Sequence, residues 1–233
     1  MWRYPFLVLS LMMWVPALPI WLGRPDLRKV IRPMALAALP FAATERLFYP
    51  EYWSPPFVLD LVNRIGFGLE DVLFVVALAA VTSTSYAVLT GSGYAPCEKA
   101  RQAFSWQRSL PAVSGVLAIC FALVALFVWL DIAMIYGACI IMVGMGASLC
   151  AMRRDLWWPS VVGALATTGL YFGICLTLEL LLPNVFAKHW HTEKFLDLYL
   201  VGVPLEELLY AGGAGFVATC FYPFVTRQKF VAR

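Results

Sequence analysis

Two short acidic phrases stand at the starts of apolar segments in this chain. The first reads Gly66-Phe67-Gly68-Leu69-Glu70-Asp71-Val72-Leu73-Phe74, and the second Gly202-Val203-Pro204-Leu205-Glu206-Glu207-Leu208-Leu209-Tyr210. They recur at a constant offset of 136 residues. Carboxylates entering a membrane are costly, so a recurring pair is a candidate for proton transfer or cation binding. A plainer role is open as well. Proline at a first helical position and acids in a first turn are ordinary helix-start signals, and capping is compatible with catalysis. Glu206 and Glu207 are adjacent, so they point about 100° apart, and one can face inward while the other caps backbone.

Other residues could join them. Glu179 lies in the apolar run 173–182 with no nearby cation. Either it stays hydrated near the surface, or it is buried and kept neutral by desolvation, as a proton-donating acid must be. Glu45 is its counterpart, with Arg46 beside it, and is expected to be the more hydrated. Asp60, Asp197, His189 and His191 fall in loops and are expected as solvated residues. Two histidines on one loop do not make a metal site, and no metal is expected. Trp53 and Trp190 suit interfacial belts, or the walls of a cavity where aromatic faces could stabilise a cation.

The elements that must position these residues are membrane helices. Of 233 residues, 62% are hydrophobic and only 13% charged, and the mean hydropathy is +0.78, too apolar for a soluble domain. Apolar stretches at 4–22, 33–48, 66–89, 110–130, 132–152, 158–182 and 200–225 approach the roughly 20 residues that cross a bilayer. The second is short and the fourth and fifth nearly fuse at Asp131, so six or eight are alternatives to the expected seven. Arg24, Arg28, Lys29, Arg32, Lys99, Arg101, Arg108, Arg153, Arg154, Arg227, Lys229 and Arg233 make up twelve of the 17 basic residues. All fall on one side of a seven-span chain, which predicts an outside N-terminus and a cytoplasmic C-terminus in a bacterial cytoplasmic membrane. These loops read as topology signals, and no nucleic-acid partner is expected. The first span resembles a signal peptide but is retained, because a strongly basic loop follows it and the repeat needs it. Six scattered cysteines read as small core hydrophobes.

The repetition extends upstream of the acidic phrases. Trp53 followed by Leu59-Asp60-Leu61 matches Trp190 followed by Leu196-Asp197-Leu198, and Thr44-Glu45-Arg46-Leu47 resembles Thr177-Leu178-Glu179-Leu180. The expected fold is all-α and polytopic, with two parallel three-helix repeats joined by a linking helix, three plus one plus three. Residues 1–90 would form the first repeat, 91–131 a cytoplasmic loop and the linking helix, 132–226 the second repeat, and 227–233 a basic cytoplasmic tail. Gly212-Gly213-Ala214-Gly215 lies within a span and reads as a close-packing site, not a dinucleotide fingerprint.

These phrases resemble the Pro-x-Glu-Glu-x-x-Phe motif of the small, flavin-independent lycopene cyclases of archaea, some bacteria and fungi. There, two three-helix domains occur as separate subunits or fused through a linking helix. Pro204, Glu206 and Glu207 match, with Tyr210 in place of Phe; Glu70 and Phe74 match, with Gly68 in place of Pro and Asp71 in place of the second Glu. The resemblance implies carotenoid biosynthesis by a proton-initiated, non-redox cyclisation of a linear carotene end, the work of an intramolecular lyase or isomerase. An acid protonates the terminal double bond, the tertiary cation closes a six-membered ring, and a base removes a proton. Glu206, Glu207, Glu70, Asp71 and Glu179 would supply acid and base, with Glu206 or Glu207 as donor. Trp53, Phe67, Phe74, Trp190, Pro204 and Tyr210 would line the substrate. No cofactor is implied, and with both repeats in one chain no obligatory sister subunit. Lipid and an apolar isoprenoid are the expected partners, and assembly with other carotenoid enzymes is compatible with this.

The alternative is a non-catalytic carotenoid- or isoprenoid-binding membrane protein of the same descent, which Gly68 and Asp71 favour. Retinal attachment fails, because the span 200–225 contains no lysine. A transporter ranks third, since the phrases sit near one face and transport sites usually lie near the midplane.

Overall fold

The apolar runs become helices in the computed structural model, which describes residues 3–97 and 106–233, the side chains of 106–113 and 116 excepted. Lys99, Arg101 and the side chain of Arg108 lie outside the described residues. In chain order the elements begin with α1 (Pro5–Gly23), α2 (Arg28–Ala38), α3 (Leu61–Ile65), α4 (Leu69–Thr82), α5 (Ser85–Leu89), β1 (Gly93–Pro96) and α6 (Trp106–Trp129). There follow α7 (Met134–Met152), α8 (Trp157–Leu181), α9 (Val185–His189), β2 (Tyr199–Leu200), β3 (Val203–Pro204), α10 (Leu205–Val225) and β4 (Gln228–Val231).

Four helical segments among the described residues are long and apolar enough to cross a membrane: Pro5–Gly23, Met134–Met152, Arg154–Leu181 and Leu205–Val225. A fifth results if Val58–Ile65 and Leu69–Thr82, bent by 91°, count as one span. Apolar side chains such as Val15, Leu22, Leu165 and Leu180 stand exposed on these helices, as lipid-facing residues do. The expected span at 33–48 is not one α-helix. α2 stops at Ala38 and the chain continues as a 3-10 segment, Leu39–Leu47. Pro33 and Pro40 each lack a backbone N–H, and a proline ring crowds the preceding turn, which explains the change of winding. The expected span at 66–89 divides into α4 and α5 at Ser83 and Thr84.

Internal contacts separate the chain into two compact units, Met1–Val81 with Thr168–Ala211, and Thr82–Thr167 with Gly212–Arg233. In the first, α1 is tied to α4 by Ser10 Oγ donating to Glu70 O (3.0 Å) and Trp14 Nε1 donating to Leu73 O (3.2 Å). Phe6, 2% exposed, anchors an aromatic cluster with Trp53, Phe57 and Phe74. An antiparallel bridge pairs Trp53 with Trp190: Ser54 N donates to His189 O and His191 N to Tyr52 O, both at 2.8 Å. The glycines opening the two acidic phrases both take a left-handed backbone, φ +94° at Gly66 and +83° at Gly202, where an L side chain would be strained. Asp60 and Asp197, matched in the sequence, also share left-handed values of 53° and 51°.

In the second unit, small residues allow close approach. A Cβ on Gly215 would fall 2.7 Å from the Thr167 side chain of α8, and one on Gly146 of α7 would meet Phe216 at 2.5 Å. Leu149, Cys150, Leu156 and Cys220 form its core, flanked by Met145, Phe216 and Phe224. Residues 228–231, expected as part of a tail, form β4 and pair antiparallel with β1. Arg153 fixes this corner by donating to Pro223 O (3.1 Å), Gln228 O (3.0 Å) and the Asp155 carboxylate.

Candidate functional site

Both acidic phrases open helices, Glu70 and Asp71 in the first turn of α4, Glu206 and Glu207 in the first turn of α10. All four residues are buried, Glu70 and Glu206 completely. They do different things. Glu70 Oε1 accepts from Val58 N (2.6 Å), and Glu206 Oε1 accepts from Leu196 N (3.0 Å). Each thereby pins the loop that precedes its own helix. Asp71 Oδ2 accepts from Gly68 N at 2.6 Å, the reach-back of a capping box. For these three the helix-start reading describes much of the geometry.

Glu207 departs from it. Its Oε1 accepts from Tyr52 Oη and from Trp190 Nε1, both at 2.9 Å, and its Oε2 from Tyr171 Oη at 2.7 Å. The donors come from the 3-10-to-loop region, the loop before β2, and α8. Tyr171 and Trp190 are each 2% exposed, and Tyr52 4%. An ionised carboxylate is acceptor-only, and hydrogen bonds to charge are the stronger kind. Three converging donors therefore offset part of the cost of burying that carboxyl group.

Around it the aromatic residues close in. Trp53 and Trp190 rings lie 5.1 Å apart, Phe186 packs on Trp190 at 4.7 Å, and Phe74 lies 6.2 Å from Tyr171. Trp53 Nε1 donates to Glu45 Oε1 at 2.6 Å. Each of these two indoles thus holds a buried carboxyl group. Glu45, expected to be hydrated, is 6% exposed, with its Oε1 held by the Trp53 indole.

Trp53, Trp190, Phe74 and Glu207 are thus brought together within the first unit, while Glu70 and Asp71 bond to backbone at the start of α4. Glu179 serves elsewhere: its Oε1 accepts from Asn184 N (2.6 Å), and a Cβ on Gly202 would lie 3.3 Å from its Cγ. It holds the turn after α8. Pro204 is buried in β3, Phe67 is half-buried, and Tyr210 packs edge-on against Phe48 at 6.4 Å. His191 shares a hydrogen bond with Ser54 Oγ at 2.8 Å. On α9, burial and then the Lys188 charge hold the His189 imidazole below its ordinary range. The sequence reading missed Tyr52 and Tyr171 as ligands of Glu207. Their only signal was a hydroxyl placed in otherwise apolar surroundings.

The class defined by these features is a mostly helical protein with apolar helices of membrane-spanning length and a buried, aromatic-walled carboxyl site. The lycopene cyclase family model matches residues 133–225, and the match supports membership of the lycopene cyclase family. That stretch contains Glu206, Glu207, Trp190 and Tyr171. No curated protein and no solved structure matches the chain.

Proposed function

We propose that the protein cyclises a linear carotene end group, lycopene or a related carotene, by proton transfer within the membrane. The observation that carries this is Glu207, buried and held by three aromatic donors, inside the family-matched segment. Protonating an alkene requires an acid in a dry cavity, a base for the later step and a wall that tolerates a cation. Carboxyl groups and the faces of Trp53, Trp190 and Phe74 have the right chemistry for each.

The finer architecture belongs to the same proposal: seven spans as two parallel three-helix repeats with a linking helix. The shared left-handed backbone at Gly66 and Gly202 and at Asp60 and Asp197 supports a duplicated unit. So does the antiparallel bridge between the matched residues Trp53 and Trp190, since a two-fold axis through such a pair produces that geometry.

Expression in a bacterium that accumulates lycopene, followed by chromatography of the pigments, tests the reading. Monocyclic or bicyclic carotenes are the expected products. Glu207→Gln and Glu206→Gln should each abolish them while leaving the protein in the membrane. The second reading, a carotenoid-binding protein without turnover, is favoured by Gly68 and Asp71, which depart from the family phrase. Purification with unconverted lycopene bound would select it and sink the cyclase.

A further inference from the structure

Between residues 5 and 44 the sequence holds a single acid, Asp26, against four bases, Arg24, Arg28, Lys29 and Arg32. The acid is already taken. Arg24 holds Asp26 with two bonds, Nε to Oδ1 at 3.0 Å and Nη2 to Oδ2 at 2.8 Å. Three cations remain on α2, and among the described residues no carboxylate lies within ion-pair distance of them.

Their arrangement is specific. α2 buries Val30, Ile31 and Met34, so Lys29, Arg32 and Leu36 come to its outer face, with the half-buried Arg28 on the flank. Arg28 and Arg32 lie one helical turn apart, and both guanidinium groups reach the same ring. That ring is Trp21 of α1, whose centroid is 5.3 Å from the one and 5.4 Å from the other. Arg28 Nε also donates to Trp21 O at 2.8 Å, which fixes that guanidinium and leaves its Nη edge without a partner among the described residues. An indole face attracts a cation, but like charges one turn apart repel. Two arginines gathered on one ring with no carboxylate beside them suit an anion, and their planar forks match phosphate oxygens.

The surroundings select the kind of phosphate. Trp21 stands in the last turn of α1, a helix long and apolar enough to cross a membrane, so the pair falls at the level of lipid headgroups. Leu18 and Leu22 share a face of α1 with Trp21 and are 48% and 68% exposed. Leu36 of α2 is exposed as well. An inorganic anion gains nothing from this apolar surface, whereas a phospholipid has acyl chains to lay along it.

We propose that Trp21, Arg28 and Arg32 form a binding site for the headgroup phosphate of an anionic phospholipid, with Lys29 at the rim and Leu18 and Leu22 along an acyl chain. The site shares no residue with the Glu207 cluster and does not depend on the cyclisation reading.

The test titrates the purified full chain in detergent with dioleoyl phosphatidylglycerol and, separately, with dioleoyl phosphatidylcholine, and reads lipid-bound species by native mass spectrometry. The wild type should bind phosphatidylglycerol more tightly than phosphatidylcholine. A basic residue near the membrane surface contributes about fivefold to binding an anionic lipid, so Arg32→Gln should weaken phosphatidylglycerol about fivefold and Arg28→Gln with Arg32→Gln about 25-fold. Arg154→Gln with Arg233→Gln removes the same charge elsewhere and should leave the affinity as it is. Trp21→Leu keeps every charge and should still lose several-fold, because the indole gathers the two guanidinium groups. Arg32 is exposed, so its replacement spares the buried face of α2, and thermal midpoints without lipid verify that each variant is folded. Equal binding of the two lipids overturns the proposal, as does a double variant that binds phosphatidylglycerol like the wild type. Undiminished binding by Trp21→Leu, or an equal loss in the Arg154 and Arg233 variant, overturns the organised site in favour of diffuse charge. Inorganic phosphate that raises the thermal midpoint as far as phosphatidylglycerol does overturns the lipid as occupant.

Discussion

Glu207 binds donors that lie 155, 17 and 36 residues away in the chain, Tyr52, Trp190 and Tyr171. Its two oxygens are served unequally. Oε1 has two donors and Oε2 one, so the two tyrosines predict different outcomes. Tyr171→Phe strips Oε2 of the Tyr171 hydroxyl donor, and a hydrogen bond to a charged group contributes about 1.5–3 kcal/mol, roughly a ten- to hundredfold loss of conversion. Tyr52→Phe leaves the Trp190 indole on Oε1 and should cost less. Conversion rates in isolated membranes would separate the two; equal, negligible losses would mean that Glu207 carries no charge during the reaction. The acidic phrases themselves were legible from the sequence, since carboxylates stand out in apolar runs. Tyr52, Tyr171 and Glu45 were not. A tyrosine near a membrane surface has several ordinary uses, and the neighbouring Arg46 made Glu45 look hydrated.

At the scale of elements, the chain is shaped by a few backbone constraints. Gly202 sits at φ +83° with Glu179 packed beneath it, and the turn it makes delivers the chain into β3 and α10. Gly202→Ala would impose left-handed strain of about 1–2 kcal/mol on that turn. We expect a lower thermal midpoint in detergent and a proportionate loss of conversion; an unchanged midpoint would show that the turn relaxes freely. In the second unit, Gly215→Leu would drive a side chain into Thr167 and Ala164 of α8. Overpacking of this kind costs about 1–3 kcal/mol, so thermal stability should fall, with Gly215→Ala intermediate. The close-packing role expected for residues 212–215 agrees with this geometry at Gly213 and Gly215, where Met142 and Thr167 side chains lie within reach of an added Cβ. Winding was less legible. Apolar content marked 33–48 as a span, but Pro33 and Pro40 made it a short helix and a 3-10 segment.

For the whole molecule, hydropathy and charge lead to one claim of orientation, carried as a proposal. Basic residues flank the ends of α1, α7 and α10, and on the positive-inside rule the proposed topology would put the C-terminus in the cytoplasm and the loop around Glu193 outside. A fluorescent protein fused after Arg233 should therefore fluoresce, since such fusions mature on the cytoplasmic side. A protease site inserted at Glu193 should be cut in intact spheroplasts. The reverse pattern would invert the proposed topology.

The sequence by itself determined that the chain is mostly helical, with helices apolar enough to cross a membrane, and that two acidic phrases open helices. Those properties are local: hydropathy, charge and spacing are read within a few turns of chain. Tertiary structure decided which carboxyl group does what. Glu70 and Glu206 turned to backbone N–H groups, Glu179 to the turn after α8, Asp71 to Gly68, Glu45 to the Trp53 indole, and Glu207 to three aromatic donors. A carboxylate takes whichever donors packing brings within about 3 Å, and in a dry interior an unmet group is too costly to leave to chance. Such partners are set by how distant segments pack, which no spacing along the chain records.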